Sequence, residues 1–430
     1  MAEPIKIGLL GMGVVGTGVL ENLAENQEKL TNQIGRSLTV TKAFVRPSKE
    51  KERLAEKFDL TLVYEVEEIL QDSEIAIVIE TMGTIEPAKA YISASLKAGK
   101  HVVTANKDLL ATHGTELIEL AAENQVNLYY EASVAGGIPI LRTLATSFAG
   151  DNISKVLGIV NGTTNFMLTK MVQEQRTYQD TLDEATALGF AESDPTNDVD
   201  GIDAAYKMVI LSKFAFGMTI TMDQMTIRGI RGLSAEDVAV AGKLGYAVKL
   251  IGSAIKINDS IHTEVGPVLV PKNHPLAAVQ NEYNAVFVES SGIGESMYYG
   301  PGAGGRPTGT SIVADLAAIA QEIENGTTGR PFSPYQQELK LTPKDQIINS
   351  YFFSLEMPDH SGQFLKLAEI FTKLDAGFEQ VSQAKGDGEK ARVVIITHPI
   401  SETTYAEIQN QIQLKTKFKF ISSMKVMEEK

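Results

Sequence analysis

Over the first ~130 residues, short apolar runs alternate with stretches whose apolar positions recur at helical spacing. Ile5–Leu10 reads as a buried strand and residues 19–30 as the helix after it. Residues 38–45 form a second strand, Ile75–Glu80 a third, His101–Thr104 a fourth and 127–131 a fifth. Helical patterns at 87–98 and 114–124 fall between them. Strand and helix alternating in this way predict parallel βαβ units and an open doubly wound sheet, an α/β architecture.

From residue 136 the texture changes. Longer helices are expected at 166–174, 181–188 and Ile202–Phe216, then β-rich stretches at Tyr246–Ile257, 265–270 and 285–290, the pattern of an α+β domain. A glycine-dense loop, Gly300-Pro301-Gly302-Ala303-Gly304-Gly305, leads into a helix at 310–324. Pro331, Pro334 and Pro343 punctuate a linker. The remaining stretch reads as strand 351–357, helix 363–374, strand 378–384, hairpin turn 385–388, strand 391–397, helix 403–412 and strand 418–427. That βαββαβ order is ferredoxin-like. The expected division is 1–135 for the first domain, completed by 305–330, then 136–304, a linker at 331–348, and 349–430.

Length supports several cores, since 430 residues exceed what one hydrophobic core serves. The formal charge of −15 makes nucleic acid and anionic membranes poor partners. With no cysteine there is no disulfide, thiolate metal site or Cys nucleophile. The opening Met1-Ala2-Glu3-Pro4 lacks the basic and apolar regions of a secretory signal, and no apolar run reaches the ~18 residues of a membrane span. A cytoplasmic location is expected.

Gly11-Met12-Gly13-Val14-Val15-Gly16 follows the first strand at once and opens a helix. This is the context in which G-x-G-x-x-G binds a dinucleotide: a tight turn, close backbone approach to the pyrophosphate, and a helix N-terminus facing its charge. The second strand ends Ala43-Phe44-Val45-Arg46, without the acid that grips an unphosphorylated ribose. Arg46 suits a 2′-phosphate and favours NADP over NAD, although a solvated surface arginine has the same appearance.

Lys107, in Thr104-Ala105-Asn106-Lys107, follows the fourth strand, where open α/β sheets bind ligands. A solvated loop cation is the plain alternative. Residues 189–207 carry five acids, Glu192, Asp194, Asp198, Asp200 and Asp203, interrupted by Pro195 and Gly201. Such a run is also what a solvated loop looks like, with Asp200 as a helix N-cap. Asp203 and Lys207, four apart, share a face of the next helix, which then turns apolar through Met208, Val209, Ile210 and Leu211. A lysine at that border is partly desolvated, and a nearby carboxylate can orient it for proton transfer. An ordinary i,i+4 surface pair shares the spacing.

These segments together resemble the homoserine dehydrogenases over essentially the whole chain. The resemblance rests on the Gly-rich turn, Thr104–Lys107, residues 130–139 (Tyr-Glu-Ala-Ser-Val-Ala-Gly-Gly-Ile-Pro), residues 158–165 (Gly-Ile-Val-Asn-Gly-Thr-Thr-Asn), the 189–207 signature and the 300–305 loop. It implies a Rossmann-type dinucleotide-binding domain and a catalytic and dimerisation domain that interconverts L-homoserine and L-aspartate 4-semialdehyde. Lys207 would be the proton donor, with Asp203 positioning it and Lys107 as a second cation. Glu192, Asp198 and Thr163 would bind substrate, and Gly189 and Gly304 would line the cofactor. A monovalent cation, Na⁺, would be held by Glu131 with the backbone of Val134, Gly136 and Ile138. Asn197 stands where some members carry an acid. The C-terminal unit, with its turn Pro358-Asp359-His360-Ser361-Gly362, resembles an ACT domain, which implies L-threonine as regulator or a purely assembling role, in a homodimer or homotetramer.

Rival readings fit less well. An aspartate-semialdehyde dehydrogenase works through a cysteine thioester, and this chain has no cysteine. A hydroxy-acid dehydrogenase would need a histidine base, and the six histidines form no convincing site. A dinucleotide-binding sensor has no use for residues 192–207.

Overall fold

A computed structural model describes residues 3–333, 335–385 and 388–428. The chain folds as two compact units, each assembled from three segments: residues 1–156, 205–224 and 284–338 in the first, and 157–204, 225–283 and 339–430 in the second.

In the first unit the apolar runs become a six-stranded parallel sheet. Its strands are β1 (Ile5–Leu10), β2 (Leu38–Phe44), β3 (Thr61–Val63), β4 (Ile75–Glu80), β5 (His101–Thr104) and β6 (Leu128–Tyr129). Their order is β3-β2-β1-β4-β5-β6, with every pair parallel. Ile7, Leu9, Ile77, Ile79, Val102 and Val103 are fully buried, because helices cover both faces of such a sheet. The bounds of β1, β4 and β5 match the apolar runs. β3 was not expected: three residues at a sheet edge leave almost no periodic signal.

Helix Val14–Ile34 begins at the Gly-rich turn itself, one turn and more before the expected start, because Gly13 is its N-cap. Against it packs helix Gly305–Asn325. A Cβ on Gly18 would lie 2.1 Å from the Gly305 carbonyl oxygen, so the two backbones touch. Asn22 fastens the crossing by donating to Arg306 O at 2.9 Å and Thr310 Oγ1 at 3.0 Å. The expected loop at 300–305 is shorter, with two residues at its start in a strand and Gly305 already in the next helix. Strand Gly294–Pro301 takes in Gly300 and Pro301, and its alternating exposure shows why glycine content alone misread it. The proline-punctuated stretch is anchored: Phe332 is buried, stacked on Tyr129 at 4.7 Å and edge-on to Tyr130 and Phe214.

The second unit is built on a long hairpin of strands Tyr246–Ile257 and Ser260–Pro271, in unbroken register from Ser260↔Ile257 to Pro271↔Tyr246. Asn258 takes positive φ in its two-residue turn, as such turns demand. The C-terminal segment has strands Ile348–Pro358, Phe378–Lys385, Lys390–Thr397 and Lys419–Val426 with helices Gln363–Lys373 and Glu402–Lys415, the βαββαβ order expected. Tyr351, Phe353 and Leu355 alternate onto one face and bury against Leu367, Phe371 and Ile408. Strand Lys419–Val426 pairs in parallel with the hairpin, Val268↔Lys425 and Leu269↔Val426. Of the expected turn at 385–388, Gly386 and Asp387 lie outside the described residues. Among the described residues no helix is long and apolar enough to cross a membrane.

Candidate active site

The Gly-rich turn has the geometry that its glycines require. Gly11 adopts φ 93°, and a Cβ there would meet the Thr81 carbonyl oxygen at 3.0 Å. At Gly16 a Cβ would sit 2.4 Å from Gly11 O, so this position closes helix onto strand. Gly13 differs, since nothing lies within 4 Å of its would-be Cβ. That open face, beside exposed Val14 and half-buried Val15, meets the first-turn amides of a helix, which have no intrahelical partner. A pyrophosphate fits there on grounds of space and of charge. Arg46 is exposed just beyond β2. Ser48 caps helix Lys49–Phe58, and from that helix Lys51 donates to Met12 O at 2.5 Å. Sequence reasoning missed Lys51, whose tie to the turn exists only in the fold.

Lys107 starts helix Lys107–Glu123, half-buried beside Asp108 at 3.2 Å. Its placement is built from below. Glu80, at the end of β4 and fully buried, accepts from Thr104 Oγ1 at 2.6 Å and from Met82 N at 2.6 Å. Thr104 Oγ1 accepts from Asn106 N at 3.0 Å, and Asn106 caps the helix through Leu109 N. Burial pushes the Glu80 carboxyl up against the pull of these donors. A lone acid closing the run Ile-Ala-Ile-Val-Ile-Glu was the available signal.

Glu131 is buried and caps helix Ile140–Arg142, accepting from Leu141 N and Arg142 N at 2.7 Å each. Its own amide donates to Asp315 at 2.9 Å, and Asp315 pairs with Arg142. Burial raises the carboxyls of both Glu131 and Asp315. Val134 and Ile138 are buried next to a turn in which Ala135 and Gly136 take positive φ. The Gly136 carbonyl accepts from Ser311 Oγ at 2.7 Å and that of Ile138 from Ile140 N at 2.8 Å. Of these two buried acids, Asp315 pairs with the Arg142 side chain, while Glu131 takes the Arg142 backbone amide. Among the described residues no group of three or more His, Asp or Glu side chains is placed to hold a metal ion.

The acid-rich segment lies in the second unit. Asp198 sits on helix Thr196–Val199 and Asp203 in the first turn of helix Ile202–Phe216. One side chain joins them: Asn161 Nδ2 donates to Asp198 Oδ1 at 2.7 Å and to Asp203 Oδ2 at 2.8 Å. Thr163 donates to Phe190 O at 2.7 Å and so ties the loop that carries Glu192, which is exposed. Asp200 is not an N-cap; it pairs with Arg231 at 2.7 Å, because it closes the preceding short helix instead of opening the next. Gly189 has φ 77° with open space around it, and Gly304 has φ 114° as the N-cap of helix Gly305–Asn325. Lys207 lies one turn beyond Asp203 on the same helix and is only 9% exposed, as is Asp203.

A family model described as homoserine dehydrogenase matches residues 139–317, and one described as homoserine dehydrogenase, NAD binding domain, matches residues 11–131. A homoserine dehydrogenase of Lactococcus lactis subsp. lactis is 51% identical, covering 98% of this chain and 99% of its own. The crystal structure of a homoserine dehydrogenase from Thiobacillus denitrificans superposes with a TM-score of 0.93 at 34% identity, over 99% of this chain and 98% of that one. A hyperthermophilic archaeal homoserine dehydrogenase in complex with NADPH superposes at 0.63 with 28% identity, over 75% of this chain and 98% of its own.

Proposed function

The chain belongs to the homoserine dehydrogenase family of NAD(P)-dependent oxidoreductases, and we propose that Lys207 is its proton donor in reducing L-aspartate 4-semialdehyde to L-homoserine, a step of threonine, methionine and isoleucine biosynthesis. The observation that carries this reading is a nearly buried lysine one helical turn after an aspartate whose carboxylate is already held by a hydrogen bond. Bound nicotinamide supplies the hydride to the aldehyde carbon. Lys207 meets the charge that develops on oxygen and delivers the proton there. Asp203 orients its ammonium, and Lys107 is a second cation at the junction of nicotinamide and substrate. Glu192 and Asp198 attract the substrate's ammonium group, while Thr163, Gly189 and Gly304 shape the walls for substrate and cofactor. In the reverse direction the amine accepts the alcohol proton, so homoserine oxidation rises from about pH 7 to about pH 10. Lys207→Ala lowers kcat by about 10²–10⁴-fold with dinucleotide affinity unchanged. Wild-type turnover by that variant would remove Lys207 from the reaction.

NADP is the favoured cofactor, since Arg46, Lys49 and Lys51 gather basic charge just past β2, where a 2′-phosphate lies in this architecture. A monovalent cation, Na⁺, fits Glu131 with the carbonyls of Val134, Gly136 and Ile138. Hard oxygen donors suit it, and it balances the excess charge that Glu131 and Asp315 leave against Arg142. The segment 349–430 is read as an ACT module for L-threonine, on a chain divided functionally at 135, 304 and 348 and assembled as a homodimer or homotetramer. Calorimetry of the full chain with threonine tests the regulator, and no heat at millimolar ligand leaves the module an assembly element.

A further inference from the structure

The carboxamide of Asn161 has all four of its hydrogen-bonding positions in use. Both amide hydrogens go to carboxylates, Asp198 Oδ1 and Asp203 Oδ2. Its oxygen accepts from Thr164 N at 2.9 Å and Thr164 Oγ1 at 2.8 Å. That network admits one orientation of the amide, because a flip would turn hydrogens toward the Thr164 N–H and the oxygen toward two anions. Asn161 is 5% exposed, so little water can take over either role. The two acceptor oxygens stand roughly 5 Å apart, the span of a single amide donating both hydrogens. Like charges that close raise each other's pKa unless a donor lies between them.

We propose that Asn161 is a positioning residue for the reaction, keeping Asp198 and Asp203 ionised and in fixed places through one amide. The proposal rests on the roles given above to Asp198, Asp203 and Lys207. It makes the hold on the substrate's ammonium and the orientation of the proton donor depend on the same side chain. Loss of Asp198 alone acts chiefly on KM and loss of Asp203 alone chiefly on kcat; loss of the bridge acts on both.

Asn161 also caps helix Gly162–Gln173, so an alanine would confuse two effects. Serine and aspartate cap about as well as asparagine, which separates them. Asn161→Ser keeps the cap and offers at most one donor. Asn161→Asp keeps the shape and the cap, offers no donor when ionised, and adds a third carboxylate.

Steady-state kinetics against pH are measured for both variants, with Asp198→Asn and Asp203→Asn alongside and thermal unfolding as a control. Asn161→Ser is expected to lose roughly tenfold in kcat/KM for its lost charge-assisted bond, through a higher KM and a lower kcat together. Asn161→Asp is expected to lose about a hundredfold at neutral pH and to recover part of that as pH falls, when a shared proton restores one donor. Should Asn161→Asp fail to fold, Asn161→Ser carries the test alone. If the two Asp→Asn variants turn over like wild type, the underlying site reading fails. If they are impaired while the folded Asn161 variants keep wild-type kcat, KM and pH profile, the bridge is structural only and the proposal is overturned.

Discussion

Replacing Gly18 by alanine tests whether the dinucleotide turn is held by the helix packed behind it. The added Cβ would stand 2.1 Å from Gly305 O, 2.3 Å from Gly305 C and 2.9 Å from Arg306 N. All three are backbone atoms, so no rotamer change relieves the clash and the helices must move apart by about 1 Å or more. Overpacking of this kind costs about 1–3 kcal/mol, and the two Asn22 hydrogen bonds across the crossing, worth about 1 kcal/mol each, stretch with it. Alanine returns about 1 kcal/mol through better helix propensity. The net loss is about 2–4 kcal/mol, which lowers the Tm of a unit this size by roughly 5–15 °C. Gly13→Ala is the matched control. Its Cβ meets nothing within 4 Å, so Tm should fall only by the poorer N-cap, about 1 kcal/mol or less, while dinucleotide binding weakens about tenfold or more. Calorimetric unfolding and nicotinamide fluorescence titration read the two effects separately. An unchanged Tm for Gly18→Ala would refute the packing argument, and unchanged cofactor affinity for Gly13→Ala would refute the placement of the pyrophosphate.

Four further outcomes follow from other charged groups of the chain. Lys425→Met leaves Glu264 buried without its 2.6 Å partner and should cost about 3–5 kcal/mol in urea unfolding; a wild-type midpoint would show the pair to be inert. Burial pushes Glu264 up, but His262 and Lys425 outweigh it and hold the carboxyl at about 2, below its unfolded value of about 4.3. Its stabilisation is therefore complete above about pH 4.3 and lost as pH falls toward about 2, and acid denaturation of Lys425→Met should begin at higher pH than in wild type. Arg46→Ala should weaken NADP about tenfold and leave NAD unchanged, whereas equal loss for both would make Arg46 a plain surface residue. Exchange of Na⁺ for choline should lower the Tm of wild type but not of Asp315→Asn, in which Arg142 already balances Glu131; the same shift in both would argue against cation binding beside Glu131.

Legibility in the sequence followed the range of the interaction involved. Ile5–Leu10, Ile75–Glu80 and His101–Thr104 are apolar runs bounded by polar turns, and their ends could be read directly because burial on both sheet faces leaves no polar position inside them. Helix Ile202–Phe216 was equally plain. Thr61–Val63 was lost because three edge residues carry no period. Gly294–Pro301, Gly-Glu-Ser-Met-Tyr-Tyr-Gly-Pro, was lost because one of its faces is solvated and its glycines mimic a loop.

The site divides along the same line. Asp203 and Lys207 were visible because helix geometry alone places residues four apart on one face, and the Gly-rich turn was visible because strand, turn and helix are contiguous. Asn161 meets its two acids from 37 and 42 positions away, Lys51 meets Met12 from 39, and Arg142 meets Asp315 from 173. No local period encodes such partners. What the chain does reveal locally is the polar residue out of place: an acid closing an apolar strand at Glu80, another inside an apolar helix at Asp315, and an asparagine directly before Gly-Thr-Thr at 161. Each such residue carries a desolvation cost that only a partner removes, so each one states that a partner exists without saying where. Chemistry is thus announced by local sequence through unmet polar groups and completed by topology, which is why spacing could set Asp203 and Lys207 on one helix face while the amide that bridges Asp198 and Asp203 could not be foreseen.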